Sequence, residues 1–174
     1  MRSVRRIIVS TAMLMALAMT AAHATDKPTL LVLPLNLNDT SGETPPHTQE
    51  HKERLAALTR YLSQMLAADG IYTVIDPTPI APAIEKVRAT QPLDACNGCE
   101  LDLARQVHAD RVLVGEVDKV STLIGSLRLN IENVANGQIV FSRVLSFRGD
   151  TDDAWQHAVR FFVRDLQATA PQQR

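Results

Sequence analysis

Hydrophobic positions along this chain change period several times, and each change marks a new element. Thr29 to Leu35 (TLLVLPL) is almost wholly apolar and predicts a short strand buried on both faces. Asn36 to Pro46 (NLNDTSGETPP) is polar and rich in turn formers, which predicts a surface loop. Leu55, Leu58, Leu62, Met65 and Leu66 then recur at helical spacing, and Gly70 supplies a left-handed stop. Ile71 to Ile75 (IYTVI) predicts a second strand, ended by Asp76-Pro77. The stretch from Thr78 to Gln91 is only weakly helical, around Ala83 to Ala89, because three prolines limit it. After Cys96-Asn97-Gly98-Cys99 a further helix turns Leu101, Leu103, Ala104 and Val107 inward, with His108 as its capping end.

Arg111 to Val117 (RVLVGEV) predicts a third strand. Leu127, Leu129 and Ile131 then alternate with Arg128, Asn130 and Glu132, a strand with one wet face. Asn136-Gly137 predicts a hairpin turn, and Ile139 to Phe147 returns as the partner strand. Arg143 interrupts the alternation there and predicts a bulge. A last helix opens at Asp150 or Thr151, carries Trp155, Ala158, Val159, Phe162, Val163 and Leu166 on one face, and ends at Pro171. The expected class is α/β, a single domain. Its mixed sheet has about five strands, βαβαβ followed by an antiparallel hairpin, with three main helices.

The first 24 residues do not fit that domain. Arg2, Arg5 and Arg6 precede an apolar run from Ile7 to Met19, and Ala22-His23-Ala24 is a small-x-small site. Together these predict a secretory signal peptide over residues 1–24, cut between Ala24 and Thr25. Residues 25–174 would then be the domain, of a size to bury roughly 68–70% of its unfolded surface. The leader takes three of the 18 basic residues against 19 acidic ones, so the exported chain carries a net charge of −4. That balance excludes a nucleic-acid footprint of clustered Lys and Arg. No later stretch reaches transmembrane length, and Thr25 is not a lipid-bearing cysteine, so the expectation is a periplasmic protein with no membrane anchor.

Export changes the reading of the cysteines. A cytosolic CxxC suggests a metal or redox site, whereas in an oxidising compartment Cys96 and Cys99 predict a disulfide. One helical turn brings their Cα atoms into bridging range. Closing so small a loop stabilises by only about 2 kcal/mol. A redox-active pair is the alternative, since a cysteine at a helix N-terminus has a lowered pKa. Glu100 stands where haem attachment would need histidine.

His47-Thr48-Gln49-Glu50-His51 spells H-x-x-E-H, the helix motif of inverted zinc peptidases. A zinc-dependent hydrolase through His47, Glu50 and His51 is one reading; a solvated first helical turn after Pro45-Pro46 is the other, and no third ligand is identifiable. His157 reads as surface, Trp155 and Phe162 as core, and Arg148-Gly149-Asp150 as a turn and cap. No nucleophile elbow and no phosphate-binding glycine loop occurs, and no cofactor is implied.

Three segments carry a resemblance: LLVLPLNLNDTSG with the following helix and GIYTVID, then LARQVHADRVLVGEVDKVS, then LRLNIENVANGQIVFSRVLSFRGD. They resemble the TolB amino-terminal-like envelope domains, and the chain after the leader looks like a small secreted bacterial family of unknown function. The Cys96–Cys99 pair and RGDTDDAW fit that narrower family. The resemblance implies a non-enzymatic accessory domain that binds an envelope protein, in support of a periplasmic quinoprotein dehydrogenase system, and it brings no active-site residues. The expected contact surface is the loop with Asn36, Asn38 and Asp39 together with the wet face at Arg128 and Glu132 or the open hairpin edge.

Overall fold

The computed structural model describes residues 27–44 and 47–169. The predicted leader, its cleavage site at Ala24 and Thr25, and Pro171 lie outside these residues. The elements in chain order are β1 (Thr29–Val32), β2 (Asn36–Asp39), α1 (Thr48–Asp69), β3 (Thr73–Ile75), α2 (Ala81–Arg88) and α3 (Cys99–Gln106). They continue with β4 (Arg111–Lys119), β5 (Ile124–Asn133), β6 (Ile139–Arg148) and α4 (Asp152–Thr169). The α/β class is as expected, with six strands and four helices among the described residues.

One mixed sheet runs β3-β1-β4-β5-β6, with β2 also paired to β4. The pairs among β1, β2, β3 and β4 are parallel, and the β4–β5 and β5–β6 pairs antiparallel. Asn36 to Asp39 is therefore strand, not the loop its composition predicts. It pairs residue for residue with Glu116 to Lys119, continuing along β4 the edge that β1 begins at Arg111. Pro34 has no amide hydrogen and interrupts the run, while Leu35 donates its own to the Thr59 hydroxyl at 3.2 Å.

Each face of the sheet carries its own core. α1 and α4 cover one side, burying Leu30, Leu113, Leu129, Trp155 and Phe162. α2 and α3 cover part of the other over Leu31, Leu33, Val112 and Val114. α2 forms in full where the prolines predict only a weak helix, because Ile84 is buried against that second core. β1 is apolar on both sides for this reason.

The bulge also falls elsewhere than predicted. Ile131 faces Phe141 and Glu132 faces Ile139, so the extra residue is Val140. Arg143 keeps regular register opposite Leu129. Its guanidinium pairs with Asp165 at 3.2 Å and lies 4.5 Å over the Phe141 ring, which accommodates a charge on the α4 side. His108 lies two residues beyond Gln106, where α3 stops, and closes the helix through its backbone: its φ is a left-handed 52° and the Ala109 amide returns to Ala104 O at 3.0 Å. Thr151 accepts the Ala154 amide at 3.2 Å and caps α4. No helix among the described residues is long and apolar enough to cross a membrane.

Candidate functional site

Two polar constellations stand out, one on each side of the sheet. The first lies where β2 and β4 end together, Asp39 opposite Lys119. The carboxyl ends of parallel strands are where α/β sheets place ligands. Lys119 lies two residues after Val117, on the same face of β4, and so points into the α1 side, only 2% exposed. His51 extends the apolar stripe of α1 one turn before Leu55 and is also 2% exposed, whereas His47 to Glu50 are exposed, as a solvated first turn requires. Asp150 arrives from the end of β6, just before the cap of α4.

These groups close one network. Asp150 takes His51 Nε2 at 2.8 Å and lies 3.4 Å from Lys119 Nζ. Asp39 lies 3.3 Å from His51 Nδ1 and 3.6 Å from Lys119. Glu43 also receives the Lys119 ammonium. Arg54 spans Asp150, Asp152 at 2.7 Å and Glu50 at 2.6 Å, and sits 5.4 Å over the Trp155 ring. The His51 ring stacks on Trp155 at 6.4 Å. A cleft of about 320 Å³ opens beside it, lined in part by Leu37, Ser41, Glu43 and His47.

The charges are mutually stabilising. Burial works against ionised Asp39, but the Ser41 hydroxyl and amide, with Lys119 and His51, outweigh it and hold the carboxyl below its ordinary value. Burial likewise opposes ionised Asp150 and is outweighed by the His51 hydrogen bond, Arg54 and Lys119. Lys119 is held above the usual lysine value, since Glu43, Asp150 and Asp39 overcome its desolvation.

This sets a pH dependence. The two aspartates bind protons less readily folded than unfolded, so their stabilisation is complete above the ordinary value of 3.8 and is lost as pH falls through the lower folded values. Lys119 contributes below 10.5 and ceases to as pH rises through its raised folded value. Glu116 and Glu132 act oppositely to the aspartates, because burial raises both and protonation relieves them. We expect the urea midpoint to fall as pH drops below about 4, and an Asp39→Asn/Asp150→Asn variant, less stable at neutral pH, to show a flatter acid limb.

The zinc reading does not survive the geometry. His51 presents both ring nitrogens to Asp39 and Asp150, and Glu50 is drawn to Arg54 and to His47 at 3.3 Å. His47, Glu50 and His51 therefore do not converge on one point. Asp39, Glu43 and His51 do bring ligand atoms within 4.8 Å of one another, but the Lys119 ammonium already sits among the carboxylates and supplies their positive charge.

The second constellation is the opposite sheet face beyond α2 and α3. Register places Asn36, Glu116, Arg128 and Val144 in one row and Asn38, Asp118, Ser126 and Ser146 in the next. Arg128 pairs with Glu116 at 2.6 Å and reaches Asp94 at 3.8 Å, and Asn36 donates to Asp94. Asn38 donates to Asp118 at 3.0 Å. Burial, then the charges of Asp94 and Asp118, raise Glu116, while burial and Glu100 raise Glu132. The structure thus groups Asn36, Asn38, Arg128 and Glu132 on this face. Asp39 lies apart from them, in the buried network across the sheet. At the α3 end, Cys96 and Cys99 are disulfide-bonded, their Cα atoms 5.5 Å apart.

The family model of DUF3280, described as "Protein of unknown function (DUF2380)", matches residues 28–166. The chain belongs to this family. No curated protein matches it. This DUF3280 domain is similar in fold to the hypothetical protein CT253 from Chlamydia trachomatis, with a TM-score of 0.54 at 13% identity over 84% of this chain and 99% of that one. The NMR structure of E. coli LpoB gives 0.52 at 18% identity, covering 84% of this chain and 82% of LpoB. Lipoprotein GNA1162 from Neisseria meningitidis gives 0.52 at 19% identity, covering 81% and 96%. TolB from Acinetobacter baumannii reaches 0.48. The family match rests on DUF3280 and does not extend to the TolB-like domains.

Sequence reasoning missed Lys119, Arg54 and the clustering role of Asp150. Signals for two related positions were present. His51 lies four residues before Leu55, and Lys119 two residues after Val117, each continuing an apolar period.

Proposed function

We propose that this chain is an exported, periplasmic protein-interaction domain, an accessory factor and not an enzyme. The observation that carries the reading is the half-covered sheet face. Its polar side chains are held in place by one another, and Val144 stands 63% exposed among them. β6 borders that face as an edge strand of ten residues without proline. Such an edge offers backbone groups to an extended partner segment. In the network across the sheet, by contrast, each ionic group faces an opposite charge, the arrangement of a structural clasp.

Residues 1–24 serve as the export leader in this reading, with 25–174 as the domain released. The similarity in fold to a bacterial lipoprotein supports an envelope location. A role beside a quinoprotein dehydrogenase rests on the sequence resemblance alone.

Affinity capture from envelope extracts, wild type against an Arg128→Glu/Glu132→Lys variant, tests the surface. We expect specific partners of the wild type to be lost at least tenfold by the variant. An identical partner set would remove this face from consideration. A dehydrogenase subunit among the lost partners would support the accessory role.

A further inference from the structure

The loop between α2 and α3 holds chemistry that an interaction surface does not need. Asn97 and Gly98 both take left-handed φ values, 53° and 108°, and turn the chain so that Cys99 opens α3. Cys96 is only 8% exposed, whereas Cys99 is half-buried and the more accessible of the two. Glu100, itself 8% exposed, places Oε2 3.1 Å from Cys96 Sγ and accepts the Gly98 amide at 3.1 Å.

The sulfur–carboxylate contact has a different meaning in the two redox states. A disulfide sulfur carries no hydrogen, so Glu100 gains no bond from it. A Cys96 thiol at the same position would donate to Glu100 Oε2. An interaction available only after reduction stabilises the reduced form, and that makes a pair more oxidising. The loop also carries Asp94, which receives Asn36 and pairs with Arg128, so the disulfide borders the wet face.

We propose that Cys96–Cys99 is a thiol–disulfide exchange site, with Cys99 the attacked sulfur and Glu100 a positioning residue that holds the released Cys96 thiol. The co-reactant is a protein dithiol. Its thiolate attacks Cys99 Sγ, a bond forms between the two proteins, and the Cys96–Cys99 bond breaks. Cys96 leaves with the electron pair, takes a proton from solvent and donates it in a hydrogen bond to Glu100. The co-reactant's second thiolate then attacks the co-reactant's first sulfur, now bonded to Cys99; their S–S bond forms, the bond to Cys99 Sγ breaks, and the released Cys99 is protonated in turn. Two electrons pass to the pair, and the dithiol becomes a disulfide.

The whole exported chain is equilibrated with mixtures of reduced and oxidised glutathione, and its free thiols are counted by alkylation and mass. We expect half-reduction within the glutathione range and a shift of about tenfold towards the disulfide in Glu100→Ala, equivalent to about 30 mV. Glu100→Gln keeps a neutral acceptor and should shift the equilibrium about threefold in the same direction. A wild-type pair that stays oxidised in the most reducing mixture overturns the proposal, as does an equilibrium unchanged in folded Glu100 variants. Single-cysteine proteins provide a reading independent of Glu100. Cys99 in Cys96→Ser should form a glutathione adduct at least tenfold faster than Cys96 in Cys99→Ser, and equal or reversed rates refute the assignment of Cys99.

Discussion

Asp150→Ala is expected to lower stability by about 3 kcal/mol, read as a shift of the urea midpoint at neutral pH. Asp150 is the carboxylate that His51, Arg54 and Lys119 share. Its removal leaves two side chains at 2–3% exposure, His51 and Lys119, without their common partner. Breaking a buried pair costs about 3–5 kcal/mol, and the lower end applies because Lys119 keeps Glu43 and Asp39. Asp150→Asn retains one acceptor and should cost clearly less. A loss under about 1 kcal/mol for the alanine variant would mean that water replaces the carboxylate, and that the cluster is not the clasp between α1 and α4.

Trp155→Ala should be as damaging or more so, about 3–5 kcal/mol. The indole is 1% exposed and forms the floor of the same cluster, under His51 and beside Phe147 at 6.0 Å. Its Nε1 has no hydrogen-bond partner among the described residues. Trp155→Phe therefore removes area but no hydrogen bond, and should cost under about 1.5 kcal/mol. Thermal unfolding of the two variants decides the matter. Equal losses would show that the full indole shape, not aromatic area as such, is what the cluster requires.

Much of this fold is legible in the chain because period reports burial directly. The α1 stripe from Leu55 to Leu66, the wet–dry alternation of Leu127 to Glu132, the Asn136-Gly137 turn and the apolar face of α4 each name their own partner surface. β2 is invisible by the same logic. Asn36 to Asp39 contains a single apolar residue, and it becomes a strand only because β4 runs on past β1 with free backbone groups to pair. The bulge was misplaced because Arg143 breaks the apolar alternation without breaking register; Asp165 and Phe141, distant in sequence, absorb its charge and its stem.

The candidate sites divide along the same line. The spacing of Cys96 and Cys99 and the alternation around Arg128 are local properties, and the chain alone determines them. Helical and strand periods likewise determine the α/β class, the hairpin and the two-sided burial of β1. Only tertiary structure decides that His51 is buried, that Asp39 and Asp150 meet across 111 residues of chain, and that Lys119 stands between them. The reason is physical: period records which face of an element avoids water, but a buried charge is tolerated only when its partners, here from four separate segments, arrive at one point in space.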